Sequence, residues 1–190
     1  MDATSCNQEG SCEYVGMSGG YAVIGADSCN DGAGNCNFAG ELKGNATVGE
    51  DSCNGGEKTC TDIGYDGMST IGDGSCNGEG LETCIGAGDG GTSVIGDNSC
   101  NGENRACAWN GYDGTKGTIG NDACNAQDAC YYNLGVIADK ACNARNACID
   151  NEGFIADGCC NYEGGCRGNK EYITVGSEEC GASAVTTTKF

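Results

Sequence analysis

The dipeptide Cys-Asn recurs eight times along the chain, and this repeat limits the possible folds more than any other feature. The intervals between copies are 23, 24, 23, 24, 24, 18 and 18 residues. A unit of this size cannot bury an apolar side alone, so neighbouring units must stack about 4.8 Å apart. The copies are Cys6-Asn7, Cys29-Asn30, Cys53-Asn54, Cys76-Asn77, Cys100-Asn101, Cys124-Asn125, Cys142-Asn143 and Cys160-Asn161.

An aliphatic residue stands five positions before each of these cysteines except the first. Short β-branched segments lead into it, and Gly with Asp or Asn usually follows, which is typical of a strand that ends in a turn. The 36 glycines and the absence of helical periodicity argue against helices. The aliphatic residues are Ile24, Val48, Ile71, Ile95, Ile119, Ile137 and Ile155.

These patterns predict an all-β fold: a single parallel β-helix, or β-solenoid, of about eight coils with little or no helix. Each coil has 23–24 residues up to about residue 124 and 18 residues after it, and the additional residues lie between the second cysteine and the aliphatic residue. The solenoid domain is predicted over residues 1–180, with a β-branched tail over 181–190. The same five-residue offset links Val175 to Cys180, which predicts a ninth, unfinished coil.

Eighteen cysteines against three Phe and one Trp indicate that disulfides replace an aromatic core. Variable loops between the two cysteines of a unit favour a disulfide within each coil, which leaves Cys159 to pair with Cys180. A ladder of disulfides between coils remains the alternative, since stacked coils lie within disulfide distance. The in-coil pairs would be Cys6 with Cys12, Cys29 with Cys36, Cys53 with Cys60, Cys76 with Cys84, Cys100 with Cys107, Cys124 with Cys130, Cys142 with Cys148, and Cys160 with Cys166.

Composition also limits location and partners. So many disulfides persist outside the cytosol, so we expect a secreted, extracellular or cell-surface protein whose signal peptide has been removed. A formal charge of −19 repels nucleic acid and anionic lipid, and no apolar run is long enough to insert into a membrane. The chain has no histidine and no catalytic motif, so we expect no enzymatic activity and no cofactor except a candidate Ca²⁺.

The Asn after each first cysteine has two interpretations. It either forms an inward ladder of amides, each bonded to the copies above and below, or eight separate Asn turns.

Several units, including GDNSCNGENRAC and GNDACNAQDAC with the shorter KACNARNAC, resemble the SCNGxxAC-type Cys-Asn repeats of secreted proteins of diatoms and related algae. The resemblance extends from about Ser5 to Cys180. It implies a disulfide-rich parallel β-helix on the outside of a cell, and it carries no established catalytic residues. The first five units depart from the plain 18-residue form.

Two rows of residues are candidate binding surfaces. Acidic residues in the turn after the strand could hold Ca²⁺ between coils, since hard cations prefer oxygen ligands; the candidates are Asp27, Asp51, Asp73, Asp97 and Asp122. Residues one place before the aliphatic row point outward and could form a flat ladder face for ice or a polysaccharide. They are Val23, Thr47, Thr70, Val94, Thr118, Val136 and Thr174, and Phe154 interrupts the row.

Two further features concern carbohydrate. The aromatic side chains could stack on sugars or simply cover the ends of the coil core. Asn45 begins a lone N-glycosylation sequon, Asn45-Ala46-Thr47.

The function that these observations favour is a non-catalytic extracellular structural protein. The chain starts within a coil and finishes with a strand, Cys180 and a β-branched tail, so copies could complete one another end to end. Such heterologous stacking does not close and produces a fibre or a cell-surface assembly. The alternative is a binding module whose ladder face takes ice, polysaccharide or Ca²⁺.

Overall fold

The computed structural model describes residues 5–7 and 10–181, and these residues form a parallel β-solenoid. Within them, eight parallel strands lie side by side in chain order, one after each cysteine pair. The predicted fold class is confirmed. The elements are β1 (Tyr21–Ile24), β2 (Asn45–Val48), β3 (Met68–Ile71), β4 (Thr92–Ile95), β5 (Lys116–Ile119), β6 (Val136–Ile137), β7 (Phe154–Ile155), β8 (Tyr172–Ile173) and the short helix α1 (Glu178–Gly181).

The aliphatic residues form one buried column through the sheet. Ile24 pairs with Val48, Ile71 with Ile95, and the register continues without a slip to β8. The six members from Val48 to Ile155 are at most 1% exposed. The other side chains of each strand alternate between the interior and solvent, as expected for a sheet with one buried face.

The buried aliphatic residue of the last strand lies two residues earlier than the sequence offset predicts. Ile173, not Val175, pairs with Ile155, and Val175 is 73% exposed. The carbonyl of Cys180 accepts the N–H of Cys160 at 2.9 Å, which is the position that Cys159 occupies beside Cys142. Cys180 therefore does not start a Cys-Asn unit, because three extra residues, accommodated by a turn and α1, separate it from its strand.

The coil becomes smaller where the sequence predicts. Backbone hydrogen bonds from Gly111 to Asn133 and from Thr118 to Gly135 align the last long coil with the first short one. Five residues between Gly111 and Thr118 have no counterpart in the short coil, and the strand shortens from four residues to two. The aliphatic register is nevertheless maintained, since Ile119 pairs with Ile137.

The disulfides follow the in-coil alternative. All eighteen cysteines lie in the described part of the chain and all are bonded: eight pairs close a loop within their own coil, with Cα–Cα distances of 5.7–6.0 Å. The remaining disulfide joins Cys159 to Cys180 across 21 residues. No cysteine thiolate is therefore available as a metal ligand.

Each in-coil cysteine has a left-handed backbone, with φ between 54° and 63°. This conformation costs about 1–2 kcal/mol for an L residue. Hydrogen bonds between coils offset that cost, as when Cys29 N–H donates to Ser52 and Cys36 N–H to Thr59 at 3.0 and 3.1 Å. The cysteines thus form the sharp corners of each coil, and the disulfide fills the interior between the two corners.

A column of serines shows how polar side chains are tolerated in this interior. Ser52 Oγ donates to the carbonyl of Gly72 at 2.8 Å and accepts the N–H of Ser75 at 3.2 Å. The hydroxyl thus has both a donor and an acceptor role with the next coil. The pattern runs through Ser5, Ser28, Ser52, Ser75 and Ser99, and alanine replaces serine at Ala123 and Ala141 in the short coils.

The Asn after each first cysteine forms a ladder, but not an inward one. Its Oδ1 accepts the backbone N–H of the corresponding Asn in the preceding coil, as Asn77 does for Asn54 at 2.8 Å. Its Nδ2 also donates to that coil, as from Asn77 to the carbonyl of Asp51 at 2.6 Å. These side chains are partly exposed, so the amides reinforce the outer wall of the solenoid.

A buried amide ladder occupies a different column, three residues after the second cysteine. Asn133 Nδ2 donates to Asn110 Oδ1 at 2.7 Å, and Asn151 Nδ2 donates to Asn133 Oδ1 at 2.7 Å. Asn169 extends this ladder at one end, and the hydroxyl of Ser93 accepts from Asn110 at the other. Asn110, Asn133 and Asn151 are fully buried.

We predict that Asn133→Ala destabilises the protein by roughly 2 kcal/mol, because it removes the hydrogen bond to the buried Oδ1 of Asn110 and one of the two that Asn151 Nδ2 donates. Asn125→Ala is the matched control: the Asn125 side chain also bonds the preceding coil, accepting from Asn101 N–H and donating to the Asn98 carbonyl, but it is exposed to solvent, so its loss should cost about 1 kcal/mol or less. Guanidinium unfolding under oxidising conditions measures both. Equal destabilisation would show that the buried ladder has no special importance.

Candidate functional site

The outward column of the sheet contains most of the predicted ladder face. Val23, Thr47, Thr70, Val94, Thr118 and Val136 are in register, and the column ends with Phe154 and Tyr172. The prediction of Thr174 is wrong, because β8 ends at Ile173. The neighbouring outward column consists of Tyr21, Asn45, Met68, Thr92 and Lys116. Aromatic, amide and charged groups thus interrupt a regular Thr/Val face.

The sequence predicted that the candidate Ca²⁺ residues form one row, but the structure places them in two columns. Asp73 and Asp97 lie in a column whose side chains bond the backbone of the preceding coil: Asp73 Oδ1 accepts the N–H of Glu50 at 2.8 Å, and Asp97 Oδ1 that of Asp73 at 3.0 Å. Asp27, Asp51 and Asp122 lie one residue further along. All three have left-handed backbones, with φ of 51–54°. The regular spacing of aspartate therefore serves two different backbone requirements.

Asn45 of the sequon is the first residue of β2, and its side chain is exposed on the sheet face beside Tyr21 and Met68.

Sequence reasoning missed a second group of acids, which we call the acidic ridge: Glu41, Asp62, Asp66, Asp89 and Asp113. The ridge lies on the long coils, where the backbones of the extra segments stack; Asp66 N–H donates to Glu41 at 3.1 Å and Asp113 N–H to Asp89 at 3.0 Å. Among the described residues, the two ion pairs found, Arg105 with Asp128 and Lys170 with Glu152, involve none of these acids.

Two carboxyl groups of the acidic ridge have raised pKa values. Burial, together with the charges of Asp62, Asp66 and Asp113, raises the pKa of Asp89 from 3.8 to about 6. Burial and the charge of Glu41 raise the pKa of Asp62. Burial is the larger cause of both shifts, and like charges held one coil apart add to it.

Aromatic side chains meet in three places, one of which is the Phe154–Tyr172 stack at the end of the outward column, with ring centroids 5.6 Å apart. Near the start of the solenoid, Tyr14 and Phe38 stack with ring centroids 5.0 Å apart, and Tyr65 meets Phe38 edge-on. The third group surrounds Trp109 at the point where the coils become smaller. The sequence offered the aromatic side chains as sugar-stacking groups or as covers for the ends of the coil core, but it did not show which of them meet.

The two ends of the sheet form another candidate site. Among the described residues, β1 pairs with β2 alone and β8 with β7 alone, so one edge of each strand has no β partner. The β-branched tail predicted over residues 181–190 lies outside the described residues except for Gly181. In the part of the chain that the structure describes, no helix combines the length and apolar character needed to cross a bilayer.

We predict that Asp89→Asn raises the melting temperature at pH 7 by up to about 2 °C, a small effect because the ridge is partly exposed. The pKa of Asp89 is about 6 in the folded chain and 3.8 in the unfolded chain. Between these two pH values the folded chain binds more protons than the unfolded chain, so the free energy of unfolding falls as pH rises through this range. Glu103→Gln, at an exposed acid outside the ridge, is the control. Thermal melts at pH 7 and pH 3.5 should show the gain for Asp89→Asn disappearing at the lower pH; an equal gain at both would contradict the assignment.

Comparison with known proteins yields one family. A family model described as a domain of unknown function (DUF7640) matches residues 66–162 and, overlapping them, residues 92–189. No curated protein and no solved structure matches the chain. The two matches together extend over residues 66–189, which is more than half of the sequence. The chain therefore belongs to the DUF7640 family.

Proposed function

We propose that this protein is a non-catalytic, extracellular structural subunit whose copies stack end to end into a fibre or a cell-surface assembly. The observation that supports this function most directly is that, among residues 5–7 and 10–181, the first and last strands of one continuous parallel sheet each have an edge without a β partner. Unpaired strand edges are templates for another chain, and solenoids usually need caps to prevent such pairing.

The backbone of β8 is oriented for this role. Phe154 N–H donates to Glu171 and Ala156 N–H to Ile173, so the backbone groups of residues 171 and 173 face β7. In a parallel ladder alternate residues face opposite neighbours, and the N–H and C=O of Tyr172 therefore point toward the open edge. The Tyr172 side chain is 82% exposed and does not cover them.

A head-to-tail junction would join a short coil to a long one, since β8 has two residues and β1 has four. The molecule already contains the reverse of this step between β5 and β6, where the aliphatic register continues across the change in coil size. A second copy could thus add Ile24 to the column above Ile173 by the same geometry.

Charge and disulfides are compatible with an extracellular subunit. In-coil disulfides stabilise each coil in an oxidising environment. The net charge of −19 opposes side-by-side association and favours growth along one axis, where backbone hydrogen bonds give direct attraction.

Electron microscopy of the purified protein tests the proposal, with Tyr172→Pro as the key variant. Proline removes the N–H that faces the open edge without removing a bond to β7, so this variant should remain as discrete particles while the wild type forms fibres. Tyr172→Ala is the matched control, because it removes the same side chain but retains the N–H, and it should assemble. Discrete wild-type particles at high concentration, or fibres from the proline variant, would refute end-to-end stacking through β8.

A further inference from the structure

The aromatic group around Trp109 lies at the step from the last long coil to the first short one. Trp109 stacks on Tyr132 of the next coil, with ring centroids 6.2 Å apart and planes inclined by 21°. Tyr112 meets both rings edge-on, at 4.9 and 6.4 Å, and Tyr131 meets Tyr132 at 4.7 Å. Tyr112 is the first of the five residues that the short coil lacks, so the rings line the inner corner of the step.

The indole of Trp109 is held flat against the preceding coil. A Cβ atom at Gly86 would lie 2.3 Å from Trp109 Cε3, so glycine is required beneath the ring. The four rings remain partly exposed although they contact one another. A rigid, partly exposed aromatic surface needs little ordering when a ligand binds.

A shallow cavity of about 310 Å³ adjoins the aromatic group at Tyr131, which lines it together with polar side chains. Arg105 Nε pairs with Asp128 Oδ1 at 3.2 Å, and its guanidinium lies 5.3 Å from the centroid of the Tyr131 ring. Asp150 and Arg167 also line this cavity. Two arginines and two aspartates give the lining no net formal charge, in a chain whose overall charge is −19.

We propose that this step site, formed by Trp109, Tyr112, Tyr131, Tyr132 and the Arg105–Asp128 cavity, binds a neutral polysaccharide of β-linked hexopyranose units. The C–H face of such a ring matches an aromatic surface, and its equatorial hydroxyls match the planar donors and acceptors of Arg and Asp. A mostly apolar surface with a few fixed polar groups is the usual character of a small-ligand site. The balanced local charge favours a neutral ligand, and the charge of the whole molecule disfavours a polyanion.

The Tyr14–Phe38 stack offers an internal comparison. It presents aromatic rings on the same solenoid but is not part of the arginine-lined cavity. If aromatic surface alone were sufficient, both groups would bind sugar equally. The step site requires the rings and the polar border together.

Trp109 is the only tryptophan in the chain, so its fluorescence reports directly on the site. We expect a saturable change in Trp emission when the wild-type protein is titrated with at least one of cellohexaose, laminarihexaose and chitohexaose. The absence of any change with all three, together with no retention on insoluble cellulose, β-1,3-glucan or chitin, would overturn the proposal.

Substitutions locate the binding. Arg105→Ala and, separately, Asp150→Ala should weaken the titrated affinity about tenfold or more, equivalent to about 1.4 kcal/mol. Tyr14→Ala should leave it within about twofold. Asp150 is exposed, so its variant keeps the test decisive if Arg105→Ala fails to fold. Loss of affinity in Tyr14→Ala equal to that in the two step-site variants would reject the assignment. Fibre formation is not needed for any of these measurements, so the outcome is independent of end-to-end assembly.

Discussion

The hydrogen bond between equivalent backbone groups of successive coils is the interaction on which this structure depends. The left-handed cysteine corners are unfavourable for an isolated chain and are tolerated because every corner N–H before Cys166 bonds to the next coil, as between Cys53 and Ser75 at 2.9 Å. The disulfide then closes each corner pair and fills the interior. Stacking and cross-linking therefore support one another, and among the described residues cysteine and alanine, not aromatic side chains, join the aliphatic column in the buried core.

The same stacking explains why the interior can be so polar. Buried serine hydroxyls and asparagine amides recur at the same position in successive coils, where the neighbouring coil supplies the complementary group. A buried amide such as Asn133 would be costly in an ordinary core, but here Asn110 and Asn151 satisfy it from below and above. Polar columns also resist a slip in register, since a shifted coil would leave every member without its partner.

The change in coil size gives the otherwise uniform solenoid a local feature. The segment that leads into β6 is five residues shorter than the one that leads into β5, yet Ile119 still pairs with Ile137, so the wall recedes on one side only. This corner brings Trp109 and Tyr132 into contact, and it adjoins the cavity where Arg105 and Asp128 meet. The proposed sugar site and the proposed fibre thus use different parts of one architecture: the step on the side wall and the edges at the ends.

The sequence by itself determined which residues share a column, because a repeat of fixed length returns to the same point on the coil. The repeat predicted the strands, the aliphatic register, the place of the extra residues and the position of the cysteines. Only the tertiary structure decided which way each column faces, since side-chain alternation holds along a strand but not at left-handed corners. For that reason the Asn after each first cysteine proved to be outside and Asn133 inside, and the aspartates separated into two columns. The structure also places Tyr172, and not Thr174, in the outward column after Phe154, because the irregular turn before Cys180 breaks the spacing from which the sequence prediction was made.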